Sequence, residues 1–427
     1  MNKFPNEGIR FAGDVSIRKL EIVSSANYKV NITNQLVGIE IYEDLFAPFT
    51  SMMVTVRESL DFVNALPLRG EEILNLEIST PTFNDEDTFF KGKFYIYKIS
   101  DRQMLTDRNV VYTMNCISYE ALTDLNIKQS KSYQGNISEI VTKIIGSDGL
   151  GTTKKSNVEA SRNSIKYISN FWSPIKNLNF LAESAVNIDG SASYLFYENR
   201  SGFNFTSLDK LYQGDPYQKF IKDNYVRDTY VNTSIRNIEL DYQRILDFKV
   251  RVPFDAIKFT NAGVYSSRLY SYDLVKKKYL AKDYNALSNF SKDVHLNKTA
   301  VFTDMKPVSP FNFIFNEIKH YGSHTGYADT SSVNIDQQRK SKLGLLKSCV
   351  VEINVFGRTD YTVGQKVYLE MPKPVVITEK DQANTNEQNG FIDTMYSGFY
   401  IVTAINHVIS RENHTCIMEL SKDSKLE

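Results

Sequence analysis

The sequence predicts a mainly β protein with α+β insertions, in which one antiparallel β-domain occurs twice. Three observations lead there: strand-like segments near the start recur in order near the end, their apolar residues alternate with a period of two, and the stretch between turns helical. Ser16-Ile-Arg-Lys-Leu-Glu-Ile22 is echoed by Ser234-Ile-Arg-Asn-Ile-Glu-Leu240. Leu76-Glu77-Ile78 is echoed by Leu369-Glu370-Met371, and Phe94-Tyr95-Ile96 by Phe399-Tyr400-Ile401. Gly70 and Gly364 precede the second pair, Gly92 and Gly398 the third, and each copy closes on a further strand, Val110 to Ile117 and Thr415 to Leu420. No chemical motif recurs with them. What is duplicated is a scaffold presenting two similar surfaces.

Taken in order, residues 14 to 125 read as the first β-domain. Met52, Val54 and Val56 alternate with Met53, Thr55 and Arg57, and Leu74, Leu76 and Ile78 with Ile73, Asn75 and Glu77, so one face of each strand meets a core. Pro67 and Gly70 punctuate the approach to the second of these strands, and Pro81 to Asp87 is a polar turn. From Asn126 the period becomes helical. Ile137, Ile140, Val141, Ile144 and Ile145 form one stripe, capped by Asn136 and ended by Gly146. A second helix starts at Ser173-Pro174 and carries Ile175, Leu178, Leu181, Ala182, Ala185 and Val186 to a stop at Asp189-Gly190. A hairpin follows, Tyr194 to Tyr197 and Phe203 to Thr206, through Asn199 to Gly202.

The second copy begins near Asn232, includes the strand Leu246 to Phe254, and is interrupted from Asp255 to Gly344 by a stretch rich in Tyr, Lys, Asn and Ser. Such an insertion is tolerated because loop-closure entropy grows slowly with length. The copy resumes with Cys349 to Phe356, Gly364 to Met371 and Phe399 to Leu420, and Pro374 to Gly390 reads as a polar, mobile loop. The expected domains are therefore 1–125, a small α+β domain at 126–222, a discontinuous second β-domain at 223–254 and 345–427, and an inserted domain at 255–344.

Composition narrows the function. The chain has 427 residues, 42% apolar and 23% charged, as in an ordinary globular protein, with 26 Tyr and 26 Phe to furnish strands and contact surfaces. Formal net charge is zero, which excludes the whole molecule as an electrostatic binder of nucleic acid or anionic membrane; the basic run Lys276 to Lys278 reads as a solvated face. Cys116, Cys349 and Cys416 stand far apart in apolar strands and read as reduced core thiols of a protein made in a cytoplasm. Met1 to Arg10 lacks a secretory pattern, and no apolar run suggests a membrane anchor.

Chemical motifs are sparse. His320 and His324 are spaced for one helix face, but Tyr321 stands where metalloprotease chemistry needs a glutamate, and Gly322 and Gly326 weaken the helix. Glu71-Glu72 and Asp85-Glu86-Asp87 are adjacent carboxylates, which on a strand point to opposite faces and cannot flank one glycosidic bond. Gly146 to Gly151 lacks a strand-to-helix setting for phosphate, and Trp172 reads as a staple on the helix start. The expectation is no catalytic, cofactor-binding or metal-binding residue, and no cofactor.

Three regions carry a resemblance. Ile41-Tyr-Glu-Asp-Leu-Phe-Ala-Pro-Phe-Thr50 with Met53 to Ser59 and Leu66-Pro-Leu-Arg-Gly-Glu-Glu72 resembles the first tube-like domain of the central baseplate hub proteins of contractile-tailed bacteriophages. Trp172 to Glu183, Ala192 to Glu198 and Gly202 to Leu208 resemble the small domain of that family, and Ser397 to His407 its second tube-like domain. The family is related to the N-terminal part of type VI secretion spike proteins. The resemblance implies two antiparallel β-barrel tube-like domains and a structural subunit that is not an enzyme. It implies a homotrimeric ring, adapting a sixfold tail tube to a threefold spike around a channel through which DNA passes without specific binding. Its implied partners are the tail spike protein, the tail tube or tube-initiator protein and the baseplate wedge proteins. Its implied place is the virion tail baseplate, after assembly in the host cytoplasm. The rivals are a carbohydrate-binding or wall-degrading tail component and a type VI secretion spike subunit.

Overall fold

The fold is that of a computed structural model, which describes residues 8–24, 27–59, 70–81, 86–106, 109–222, 238–273, 277–302, 314–317, 332–373 and 392–426. Period-two alternation makes the first module: β1 (Ser16–Val23), β2 (Lys29–Asn31), β3 (Leu36–Asp44), β4 (Ser51–Glu58), β5 (Ile73–Ser79), β6 (Phe90–Thr106) and β7 (Asn109–Ser118). They are ordered β3-β4-β7-β6-β5-β1-β2 in one sheet, every pair antiparallel. Met52, Val54 and Val56 of β4 bury against Leu74, Leu76 and Ile78 of β5, as their alternation predicts.

The small domain follows: α1 (Glu120–Asn126), β8 (Ser132–Asn136), α2 (Ile137–Ile145), β9 (Ser156–Val158), β10 (Ser164–Ile168), α3 (Pro174–Ser184), β11 (Tyr194–Asn199), β12 (Gly202–Ser207) and α4 (Leu208–Tyr212). Asn136 caps α2 by accepting from the Ser138 amide at 3.0 Å, and Ser173 caps α3. Ile140, Val141, Ile144, Leu178 and Leu181 pack on Phe203 and Phe205. The second helix stops sooner than its apolar stripe suggests. Asn163 takes over at its end, donating to the Ser184 carbonyl at 2.8 Å and accepting from the Val186 amide at 3.0 Å, so Ala185 and Val186 are buried in extended chain.

The second module comprises β13 (Gln218–Ile221), α5 (Ile238–Gln243) and β14 (Ile245–Val252), then resumes beyond an insertion. That insertion holds α6 (Ala256–Asn261), β15 (Ser266–Asp273), β16 (Lys278–Asn285), α7 (Ala286–Asn289), β17 (Thr299–Ala300), β18 (Ile314–Glu317) and α8 (Ser332–Leu346), with its own sheet, β16-β15-β18. The module then continues with β19 (Cys349–Phe356), β20 (Lys366–Glu370), β21 (Gly398–Ile409) and β22 (His414–Lys422), and β23 (Ser424–Lys425) pairs β17.

The ladders establish the duplication strand by strand. The order β14-β19-β22-β21-β20 repeats β3-β4-β7-β6-β5, with the same chain connectivity. Leu76 faces Gly92 as Leu369 faces Gly398. Irregularities recur at matching places, Leu36/Gly38 with Ile245/Asp247 and Ile96/Lys98 with Val402/Ala404. The aromatic echo is shifted by one residue. Phe94 pairs Leu74 and Tyr400 pairs Val367, so Phe94 corresponds to Tyr400 and not to Phe399. The slip matters because it exchanges the two faces, and Phe94 and Tyr400 are the buried pair.

One echo fails. Ile238, Glu239 and Leu240 open a helix, and positions 234–237 lie outside the described residues. Glu239 and Asp241 in the first turn suit a helix N-terminus, and the place beside β20 is taken by β13, which runs parallel to it where β1 runs antiparallel to β5.

Candidate assembly surface

One strand joins the modules. β21 pairs β20 through Gly398–Ile401, and its last residues pair β3, from Ala404 opposite Asp44 to Ile409 opposite Ile39, so β20 and β3 lie end to end along one edge. Backbone and side-chain hydrogen bonds sew this seam. The Leu45 amide donates to the Thr403 carbonyl at 2.8 Å, and the Arg411 guanidinium donates to the Leu36 and Asn34 carbonyls at 3.1 and 2.6 Å. Glu43, wholly buried, accepts from the Thr362 hydroxyl at 2.5 Å and the Val363 amide at 3.2 Å. Burial pushes its carboxyl up from the ordinary 4.5 to about 7, against the pull of those two donors.

The duplication creates a second pair of edges of the same kind. β6 corresponds to β21 and β14 to β3. β6 pairs β5 only through Tyr95, and among the described residues no strand flanks that edge beyond it; β14 ends the sheet. Tyr97, Met104 and Leu105 on β6 and Leu246 on β14 are exposed, Met104 by 73%. A strand edge that no neighbouring strand covers, bearing exposed apolar side chains, is a template for another chain.

On the sheet face turned from the core, Thr55 and Thr113 hydroxyls meet at 3.2 Å and Asn115 donates to the Ser100 hydroxyl at 2.9 Å. Asn406 donates to the Glu40 carboxylate across the seam at 3.4 Å. This face also carries ion pairs, Lys19 with Glu21, Lys91 with Glu77 and Arg251 with Glu352, so its bases are interleaved with carboxylates.

Buried ion clusters attach the other parts. Lys154 lies 2.6 Å from Glu120 and 2.5 Å from Glu198, whose other oxygen accepts from the Thr50 amide, fixing the small domain to the first module. Lys342 of α8 meets Asp209 at 2.8 Å and Asp293 at 3.2 Å. Those aspartates line a polar cleft together with Asp189 and with Asp283, which Arg268 holds at 2.5 Å; Asp209, Asp283 and Asp293 each face a cation, an arrangement suited to joining domains.

Of the residues weighed in the sequence, His320, His324, Lys276 and the loop from Pro374 to Gly390 lie outside the described residues. Glu72 accepts from the Gly70 and Glu71 amides and locks a turn, while Asp87 is exposed and pairs Lys155. Trp172 packs on Phe180 and Tyr167 under Lys176. All three cysteines are buried free thiols, and no helix among the described residues is long and apolar enough to cross a membrane.

Sequence reading passed over one constellation, whose signal was the His-x-Cys step on a strand. His407 of β21 lies opposite Cys416 of β22, and His414 is two residues before Cys416 on the same side. His407 Nδ1 and His414 Nε2 are 3.0 Å apart, and Cys416 Sγ is 3.3 and 3.5 Å from them, all three residues at most 1% exposed. Burial lowers the His407 pKa to about 4 and that of His414 well below the usual value, so both imidazoles are neutral.

No protein-family model matches the chain. A probable baseplate hub protein, gp334 of Vibrio phage KVP40, is 22% identical over 424 residues, covering 95% of this chain and 93% of the relative. Among solved structures, a tail protein from Neisseria meningitidis MC58 superposes with a TM-score of 0.54 at 9% identity, over 95% of this chain and 96% of the other. The 43 kDa tail protein of prophage MuSo2 from Shewanella oneidensis gives 0.55 at 8% identity, over 95% and 99%. At such identities the two structures show the fold alone, while the phage relative matches along nearly the whole sequence. The chain thus resembles phage baseplate hub proteins, in sequence a curated relative over nearly its whole length and in fold two tail proteins.

Proposed function

We propose that three copies of this chain close into the central ring of a phage tail baseplate, β6 of each copy adding to β14 of the next. The carrying observation is that the seam between β21 and β3 within the chain has a counterpart at its two ends, β6 beyond Tyr95 and β14, where no further strand pairs among the described residues. A heterologous contact of this kind closes into a ring when its rotation permits. Three chains of two modules give six alike surfaces toward a sixfold tube, while the small and inserted domains, once per chain, offer three toward a spike. The two modules act as the tube-like domains, and the sheet face turned from the core, where bases are interleaved with carboxylates, is the wall of a channel that lets DNA pass without holding its phosphates. Partners in this reading are the spike, the tube or its initiator and the surrounding wedge proteins, with assembly in the host cytoplasm. The chain catalyses no reaction in this reading, which gives the cleft, with Asp209, Asp283 and Asp293 each held by a cation, the task of joining domains.

The test is a disulfide across the proposed joint. Transferring the seam by the module correspondence brings Ser100 beside the Arg251–Val252 bulge of β14 in the next copy, as Asn406 lies opposite Tyr42 within the chain. Oxidation of a variant with Ser100→Cys and Arg251→Cys should give a covalent ladder ending at three chains, whereas Tyr42→Cys with Asn406→Cys should give only an internal bond. If the cis pair cross-links and the trans pair yields only monomers under conditions of assembly, the joint is wrong.

A further inference from the structure

We propose that His407, His414 and Cys416 form a metal site, with zinc(II) the ion their donor set fits. This assignment is independent of the assembly reading. It departs from the expectation drawn from the sequence, where no metal-ligand pattern stood out.

The strand register builds the site. In the antiparallel ladder His407 faces Cys416 directly and His414 precedes Cys416 by two, so the three side chains project from one side of a tight hairpin. They converge where the two modules meet: Cys416 belongs to the core of the second, while Ile41, opposite His407 on β3, belongs to that of the first. With metal–nitrogen bonds of about 2.0–2.1 Å and a metal–sulfur bond of about 2.3 Å, a tetrahedral ion sets its donors ~3.3 Å apart for two nitrogens and ~3.6 Å for nitrogen and sulfur. The donor separations of 3.0, 3.3 and 3.5 Å lie within a few tenths of an ångström of that figure. Thiolate and neutral imidazole are donors that suit zinc(II), as they also suit copper.

The fold itself does not need these groups. At the corresponding ladder places of the first module stand Val110 and Tyr112, where the second has His414 and Cys416. Burying imidazoles without full hydrogen bonding is costly. A purely hydrogen-bonded trio satisfies only its inner atoms, since His407 Nε2 and His414 Nδ1 are buried without a hydrogen-bond partner. An ion supplies the compensating free energy by binding both inner lone pairs and the thiolate, Cys416 releasing its proton to solvent.

The surroundings hold the donors still. The His414 amide donates to the Gly13 carbonyl and its carbonyl accepts from the Gly357 amide, both at 2.8 Å. Gly357 lies so close that a Cβ there would stand 2.3 Å from the His414 ring, so only glycine admits the imidazole in this position. Three protein donors leave a fourth position for a small ligand such as water.

The test uses the full chain purified without chelator, then stripped and titrated with zinc(II) or cobalt(II). Elemental analysis should find one zinc per chain. Cobalt should give the intense visible bands of a tetrahedral site and a near-ultraviolet thiolate charge-transfer band, and zinc should raise the melting temperature by several degrees. These signals should vanish in Cys416→Ser and persist in Cys349→Ser, another buried thiol. A folded wild-type protein with no stoichiometric metal and no thiolate–cobalt band overturns the proposal, as does a band that survives Cys416→Ser. If Cys416→Ser fails to fold, the wild-type cobalt spectrum decides alone, the charge-transfer band supporting the site and its absence refuting it.

Discussion

Replacing Glu43 with glutamine should remove a pH-dependent weakness at the seam. Glu43 is buried between the modules, with one oxygen engaged by Thr362 and Val363 and the other buried without a hydrogen bond. Its folded pKa of about 7 stands above the 4.5 of the unfolded chain. The folded state therefore holds the proton longer, and the contribution of neutral Glu43 is complete below 4.5 and is lost as pH rises toward 7. At about 1.4 kcal/mol per pH step, that window amounts to about 3 kcal/mol. Glutamine keeps the accepting oxygen and cannot ionise. Urea unfolding of wild type and Glu43→Gln across the window, taken as a difference so that other titrating groups cancel, should move in favour of the variant by about 3 kcal/mol between about pH 4.5 and 8. A difference that stays flat would mean that Glu43 is hydrated and ionised in the folded protein, and the burial argument would fail.

Lys154→Met should destabilise the protein by about 3–5 kcal/mol, because Glu120 and Glu198 are left uncompensated, and adding Glu198→Gln should recover part of the loss in the same urea assay. Gly202→Ala should cost about 2–4 kcal/mol, since φ is +123° and the new Cβ meets the Lys155 carbonyl oxygen at 2.1 Å. The assembled protein should bind duplex DNA weakly, with little dependence on salt; tight, salt-sensitive binding in a filter or anisotropy assay would contradict a channel wall that does not hold phosphates.

Alternation made the sheet legible. Met52, Val54 and Val56 announce a buried face by themselves, and Asn136 and Ser173-Pro174 announce their helices, because caps and periods are local. The duplication was legible as strand order but not as register: Phe94 echoes Phe399 in letters, whereas the ladder equates it with Tyr400, because pairing with Leu74 and Val367 is set across the sheet. Ser234 to Leu240 copies the letters of β1, yet its described part is helical because β13, from another part of the chain, occupies the neighbouring edge. The meeting of His407 with His414 and Cys416, and the place of β6 and β14 at sheet edges among the described residues, depend on strand pairing over long separations, which no local pattern announces.

The mass of the protein in solution tests the central claim most directly. Light scattering or sedimentation at micromolar concentration, alone and with the spike protein, should give three times the 48.9 kDa of one chain, or a multiple of three in complex. Met104→Glu with Leu105→Glu on the β6 edge should reduce it to one chain without loss of β structure. A wild-type protein that stays monomeric with its spike present, or a trimer indifferent to both the β6 and the β14 edge, would contradict the account.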